Sequence, residues 1–205
     1  MKKILIIILI ILVPYIGFSQ EELPKSGVAL SVGLGKMSIK DEYPGVNFDK
    51  SLFAYKLNYF RELTSFNQVA LMGEIGYTSQ GGGGSAGSTD FTMRFNYLEA
   101  GVIAHYQTKI SGWDNRPFYA GGGLNIGYFL NGKYKDDDNT LDLDAVRDVV
   151  FGLKFTSGIM VNLFDKPMRL GLNINLGLSN TNSDEEDGVT RLNSYMLELA
   201  YPLSW

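Results

Sequence analysis

The chain contains no cysteine, and that absence removes disulfides, thiolate metal sites, cysteine nucleophiles and lipoprotein acylation together. It has a single histidine, so any serine–histidine hydrolase would have to be built around His105. A basic stripe is missing as well. Lys and Arg total 18 against 22 acids and are scattered along the chain, which withholds the electrostatic footprint of nucleic-acid recognition. No stretch sustains a 3.6-residue apolar stripe, so there is no amphipathic helix to lay over a sheet.

The one long apolar run is N-terminal. Lys2 and Lys3 precede Ile4 to Val13, then come Pro14, small residues at Gly17 and Ser19, and polar Gln20, Glu21 and Glu22. A membrane helix needs about 20 apolar residues, and this run is shorter; it reads as a signal peptide, 1–19, cut after Ser19. Its removal takes away two lysines and no acid, leaving 16 basic against 22 acidic residues and a formal charge of −6. The remaining 20–205 fit one domain.

What the chain does have is 24 glycines, 12 tyrosines, 12 phenylalanines and a persistent period of two. Val28, Leu30, Val32 and Leu34 alternate with Ala29, Ser31, Gly33 and Gly35, putting bulk on one face and almost nothing on the other. Leu170, Leu172, Ile174, Leu176 and Leu178 do the same against Arg169, Gly171, Asn173, Asn175, Gly177 and Ser179. A soluble sandwich needs its bulk inside; a small barrel in lipid puts aliphatics outside and fills a narrow lumen with small and polar groups. The expected fold is therefore all-β: an eight-stranded antiparallel up-and-down transmembrane β-barrel. Its last strand places Tyr195, Leu197, Leu199, Tyr201, Leu203 and Trp205 on one outward face and ends on an aromatic, as a C-terminal assembly signal would.

Short connections at Glu62 to Asn67 and Phe164 to Pro167 alternate with longer polar segments at Ser38 to Lys50, Gln80 to Asp90, Asn131 to Asp148 and Asn180 to Arg191. Outer-membrane barrels keep short turns in the periplasm and long loops outside, which sets the orientation. Gln107 to Arg116 is longer than that scheme needs. Tyr55, Tyr59, Tyr77, Tyr128, Tyr201 and Trp205 suit aromatic girdles at the two interfaces. One strand changes phase: Phe91, Met93 and Phe95 have one parity, while Leu98, Ala100, Val102 and Tyr106 have the other, which predicts a β-bulge near Asn96–Tyr97.

The inward positions collect Lys56, Glu74, Arg94, Glu99, Lys154, Arg169 and Glu198, both signs in one narrow tube. Unpaired charges there would be costly, so the expectation is a structural salt-bridge network that plugs the lumen. His105 falls at the periplasmic end of its strand, away from the outer leaflet where lipid-modifying barrels act, and reads as an interfacial side chain. Asp136, Asp137, Asp138, Asn139, Asp142 and Asp144 make one outer loop acidic, and Asp184 to Asp187 another. The first lacks the central Gly and closing Glu of a calcium loop, so both read as solvated loop. Gly81 to Gly84 sit between strands with no helix following, which reads as a flexible loop tip instead of a phosphate cradle.

Tyr97-Leu98-Glu99, the run Gly171 to Ser179 leading into Asn180-Thr181-Asn182, and Leu197-Glu198-Leu199-Ala200-Tyr201 resemble the outer-membrane β-barrel domain proteins of Bacteroidota-type Gram-negative bacteria, often labelled porin-family proteins. The resemblance covers the mature chain and implies a fold and an address, with no catalytic residue to transfer. The chain ends in Trp205 where most of that family has Phe. Together these readings give a non-enzymatic monomer of the cell outer membrane, structural or surface-binding, with no cofactor and no metal. Its expected partners are outer-membrane lipid and lipopolysaccharide, the barrel-assembly machinery during insertion, and a surface protein or glycan. A small porin or a transport or secretion accessory barrel is the alternative, and a lipid-modifying enzyme a third reading.

Overall fold

A computed structural model describes residues 24–39, 45–109, 117–143, 146–163, 166–181 and 190–204. The signal segment, Trp205 and the acidic run Asp184 to Asp187 lie outside the described residues. The strands are β1 (Ser26–Ile39), β2 (Val46–Phe66), β3 (Val69–Ala86), β4 (Thr89–Lys109), β5 (Pro117–Lys135), β6 (Thr140–Asp142), β7 (Val149–Leu163), β8 (Lys166–Gly177) and β9 (Thr190–Ser204).

Neighbouring strands pair antiparallel in chain order, β4 pairs β5, and β9 returns to pair with β1 along its whole length. The sheet therefore closes. Closure removes the exposed strand edges that neither lipid nor water-soluble neighbours would satisfy. Eight strands make the ring; β6 is a short addition that pairs only with the far end of β5.

The two faces of the wall carry opposite chemistry. On β9 Leu192, Ser194, Met196, Glu198 and Ala200 are buried, while Tyr195, Leu197, Leu199, Tyr201 and Leu203 are exposed. Leu124 is 63% exposed and Leu197 59%, yet Lys154 is 0% exposed and Arg169 1%. Water would not tolerate that distribution over a whole barrel, whereas acyl chains favour it.

The wall is uneven in height. β2 and β4 run for 21 residues each, β3 for 18 and β5 for 19, against 14 for β1, 15 for β7 and β9, and 12 for β8. On β2 five residues run past Arg61, the partner of Ser26, toward the termini, and on β3, β4 and β5 the extra length lies at the opposite end. There Gly81 to Gly84 are not a loop tip. They are buried strand, paired in unbroken register with β4 from Gly81↔Arg94 to Ala86↔Thr89, and Gly87 and Ser88 alone make the turn. Only glycine fits: a Cβ at Gly82 would lie 2.6 Å from the Met37 nitrogen and one at Gly84 1.8 Å from the Asn47 carbonyl oxygen.

The expected phase change in β4 also resolves differently. β4 keeps one parity throughout: Phe91, Phe95, Tyr97, Glu99, Ile103 and His105 are all buried. Its register with β5 does shift between Asn96 and Tyr97, but Asn96 faces Asn131 and Tyr97 faces Phe129, so the extra residue, Leu130, belongs to β5. Phe91 and Phe95 point inward because that end of the barrel has a different filling.

Candidate functional site

The lumen is built in three levels. Toward the termini, Ala29, Phe60, Ala70, Met72 and Ala200 form an apolar cluster. The Arg169 guanidinium lies 4.2 Å from the centre of the Phe60 ring and 5.0 Å from that of Tyr119, and it donates to Glu198 Oε1 at 2.7 Å. Asn173 Nδ2 donates to the other carboxylate oxygen at 3.1 Å. His105 sits at the same level, fully buried, with Nε2 2.9 Å from Thr156 Oγ1 and its ring 5.1 Å from Tyr119. The expected interfacial position of His105 is thus corrected: it shares the inward parity of Glu99 on β4, and the lumen receives it.

The middle level is ionic. Lys56 Nζ donates to Glu99 Oε1 at 3.0 Å and lies 3.7 Å from Glu74 Oε2, while Lys154 Nζ is bound to the same Glu74 oxygen. Thr78 Oγ1 and Asn125 Nδ2 complete the shell of Glu99 at 2.5 and 2.6 Å. Among the described residues the buried ions are Lys56, Lys154 and Arg169 against Glu74, Glu99 and Glu198. The interior charge sums to zero. Each carboxylate sits opposite glycine on a neighbouring strand: Glu74 faces Gly101, Glu99 faces Gly76 and Gly127, and Glu198 faces Gly171. A missing side chain on the neighbour gives an eight-strand interior room for a long one.

Above the ions comes a cavity lined by Glu99, Asn125, Asn175, Tyr97, Val150 and Leu192, with about 30 Å³ open to the centres of water-sized molecules. This is room for two or so waters, not for a ligand of drug size. The third level closes over it: Met37, Phe95, Tyr97 and Leu192 are buried together, with Phe48, Met93, Phe129, Leu143, Val146 and Val150 packed against them. Phe91 extends this packing, edge-on to Phe48 at 5.2 Å and stacked on Tyr134 at 5.9 Å.

Six of the seven inward charges expected from the sequence are brought together in this way. Arg94 is not. Because β4 keeps its parity, Arg94 lies on the outer face, where Nη1 donates to Ser79 Oγ at 3.2 Å. Thr78, Asn125 and Asn173 join the network through their inward parity, the one sign of them in the sequence. At the C-terminus Tyr195, Leu197, Leu199 and Tyr201 all face outward, and Trp205 lies outside the described residues.

No protein-family model matches the chain, and a search of curated proteins finds no match. Solved structures do resemble it. Neisserial surface protein A, of Neisseria, superposes with a TM-score of 0.54 at 15% identity, over 89% of this chain and 100% of that one. This is the fold of a small outer-membrane β-barrel. Ail, the attachment invasion locus protein of Yersinia pestis, in complex with the heparin analogue sucrose octasulfate, gives a TM-score of 0.45 at 14% identity over 88% and 99%. The outer-membrane protein AlkL gives 0.38 at 12% over 92% and 96%. A closed strand ring with an apolar exterior and an ionic interior is an integral membrane protein, and the membrane that houses such barrels is the outer one.

Proposed function

We propose that the protein is a plugged outer-membrane barrel of a Bacteroidota-type envelope that displays its projecting hairpins to a surface partner, protein or glycan, and catalyses nothing. The observation that carries this reading is the neutral set of three cations and three carboxylates filling the lower and middle levels of the lumen. Ions so paired need no mobile counter-ion and leave an eight-strand interior occupied by its own side chains. In this reading residues 1–19 are a leader removed on export, and the outward series Tyr195, Leu197, Leu199, Tyr201 and Trp205 is read by the barrel-assembly machinery. The mature protein then stands as a monomer among outer-membrane lipid and lipopolysaccharide. His105 is enclosed in the lumen, away from any lipid substrate, which disfavours the enzymatic reading. The alternative, a small porin, requires the ionic level to part. Single-channel recording of the folded protein in planar bilayers separates the two: the plugged barrel gives no steady conductance, and a steady, voltage-stable one overturns it.

A further inference from the structure

Where the outward aliphatics of β4 and β5 stop, three cations begin. Leu98 and Tyr128 belong to the exposed apolar band, and four residues beyond Leu98 on the same face of β4 comes Arg94. In register across β5 it is opposed by Lys133, and two pairs further on Thr92 is opposed by Lys135. Both lysines are exposed, and neither is held in an ion pair among the described residues. Asp142 stands opposite Lys133 on the β6 side, and Asp136, Asp137 and Asp138 follow Lys135 at the hairpin tip, so the three cations form a positive stripe between the apolar band and an acidic tip. On the β3 side, Tyr77 is in register with Leu98, and its ring lies 6.0 Å from that of Tyr55 on β2.

Two like charges directly opposed on an antiparallel pair repel at a Cβ separation of about 5 Å. The arrangement becomes favourable when an anion sits between them. Arg94 is already steered, since its hydrogen bond to Ser79 holds the guanidinium against the wall. The height is that of lipid headgroups: four residues at about 3.3 Å each, along a tilted strand, put Arg94 roughly 10 Å above Leu98. Long basic side chains at such a boundary keep their stems on the apolar surface and their charges in the headgroup layer.

We infer that Arg94, Lys133 and Lys135 form an external docking site for the phosphate groups of a phosphorylated glycolipid of the outer leaflet. The guanidinium supplies a fork that matches two phosphate oxygens, and the lysines, both on β5, supply point charges on one side of it. The sugar of such a lipid would rest against the tyrosine pair. This inference rests on the outer-membrane reading above and adds a specific lipid contact to it.

The test uses the full folded barrel in zwitterionic detergent, titrated with diphosphorylated lipid A, dephosphorylated lipid A and inorganic phosphate. Binding is followed by native mass spectrometry and stability by the temperature at which gel mobility shifts. The site predicts retention of the diphosphorylated form, weaker retention of the dephosphorylated form, and no change with inorganic phosphate alone. The double variant Arg94→Gln, Lys133→Gln should lose about thirtyfold in affinity, yet melt higher than the parent when lipid A is absent, because its repulsion is gone. Lys133→Gln alone, at an exposed position, gives the same reversal with smaller amplitude. Equal affinity of parent and variant overturns the site, as does equal affinity for the two lipid forms or saturation by inorganic phosphate. A parent protein without heat-modifiable mobility would instead strike the barrel reading.

Discussion

Within one continuous wall the lower and upper parts of the barrel are turned inside out relative to each other. Below Asn96 on β4 the outward residues are Leu98, Ala100 and Val102 and the inward ones include Glu99 and His105; above it the inward residues are Phe91, Met93 and Phe95 and the outward ones include Arg94 and Thr92. The strand, its parity and its partners do not change. What changes is the surrounding solvent: lipid takes the bulky side chains outward, and water above the membrane drives them inward to the cluster around Met37 and Tyr97. The level of Asn96 and Asn131, whose side chains hydrogen-bond at 2.6 Å, marks the crossing.

The largest effect should come from breaking the ionic level. Lys154→Met leaves Glu74 with Lys56 alone, 3.7 Å away, in an interior that water does not relieve. The expected cost is about 3–5 kcal/mol, read as a lower urea midpoint for loss of heat-modifiable mobility. Adding Glu74→Leu removes the stranded charge and should restore most of that loss, since an apolar pair of similar volume is often neutral or better. A double variant as unstable as the single one would mean that the ions specify the fold rather than merely satisfy each other.

One substitution made at two heights sharpens the comparison further. Leu124→Arg on β5 presents a guanidinium to the middle of the outer apolar band and should cost about 2–4 kcal/mol, whereas Asn131→Arg, on the same strand at the crossing, should cost about 0–1 kcal/mol. Folding in vesicles across a urea series measures both. Equal penalties would place the membrane boundary elsewhere on this wall.

The inversion also explains what could and could not be read from the residues in order. Val28 to Leu34, Leu170 to Leu178 and Tyr195 to Leu203 stay within the apolar band, so their alternation reports lipid directly and the barrel is legible from them. Phe91 to Phe95 cross into water, and a reading that assumes one solvent along the whole strand turns the change of environment into a change of register. The same step puts Arg94 in the lumen. Gly81 to Gly84 have no side chains to show an inside or an outside, so close packing against Met37 and Asn47 leaves no mark that a loop would not leave too. The ionic pairs lie beyond any local pattern: Lys154 and Glu74 are 80 positions apart and meet only once the ring has closed.

The smallest expected effect lies above the crossing, where charges are in water. Lys50 on β2 pairs with Asp90 on β4, with side chains 40% and 60% exposed. This pair joins two of the projecting strands across β3, and in geometry it resembles the ions below. Its surroundings differ: both groups keep most of their hydration, salt screens them, and two side chains are held still for a modest Coulomb gain. Lys50→Gln should therefore cost less than about 1 kcal/mol and lose even that in high salt, while the Lys154→Met penalty stays constant with ionic strength. Parallel urea series at low and high salt give both slopes. A salt-independent loss at Lys50 would mean that the projecting hairpins are enclosed by something other than water.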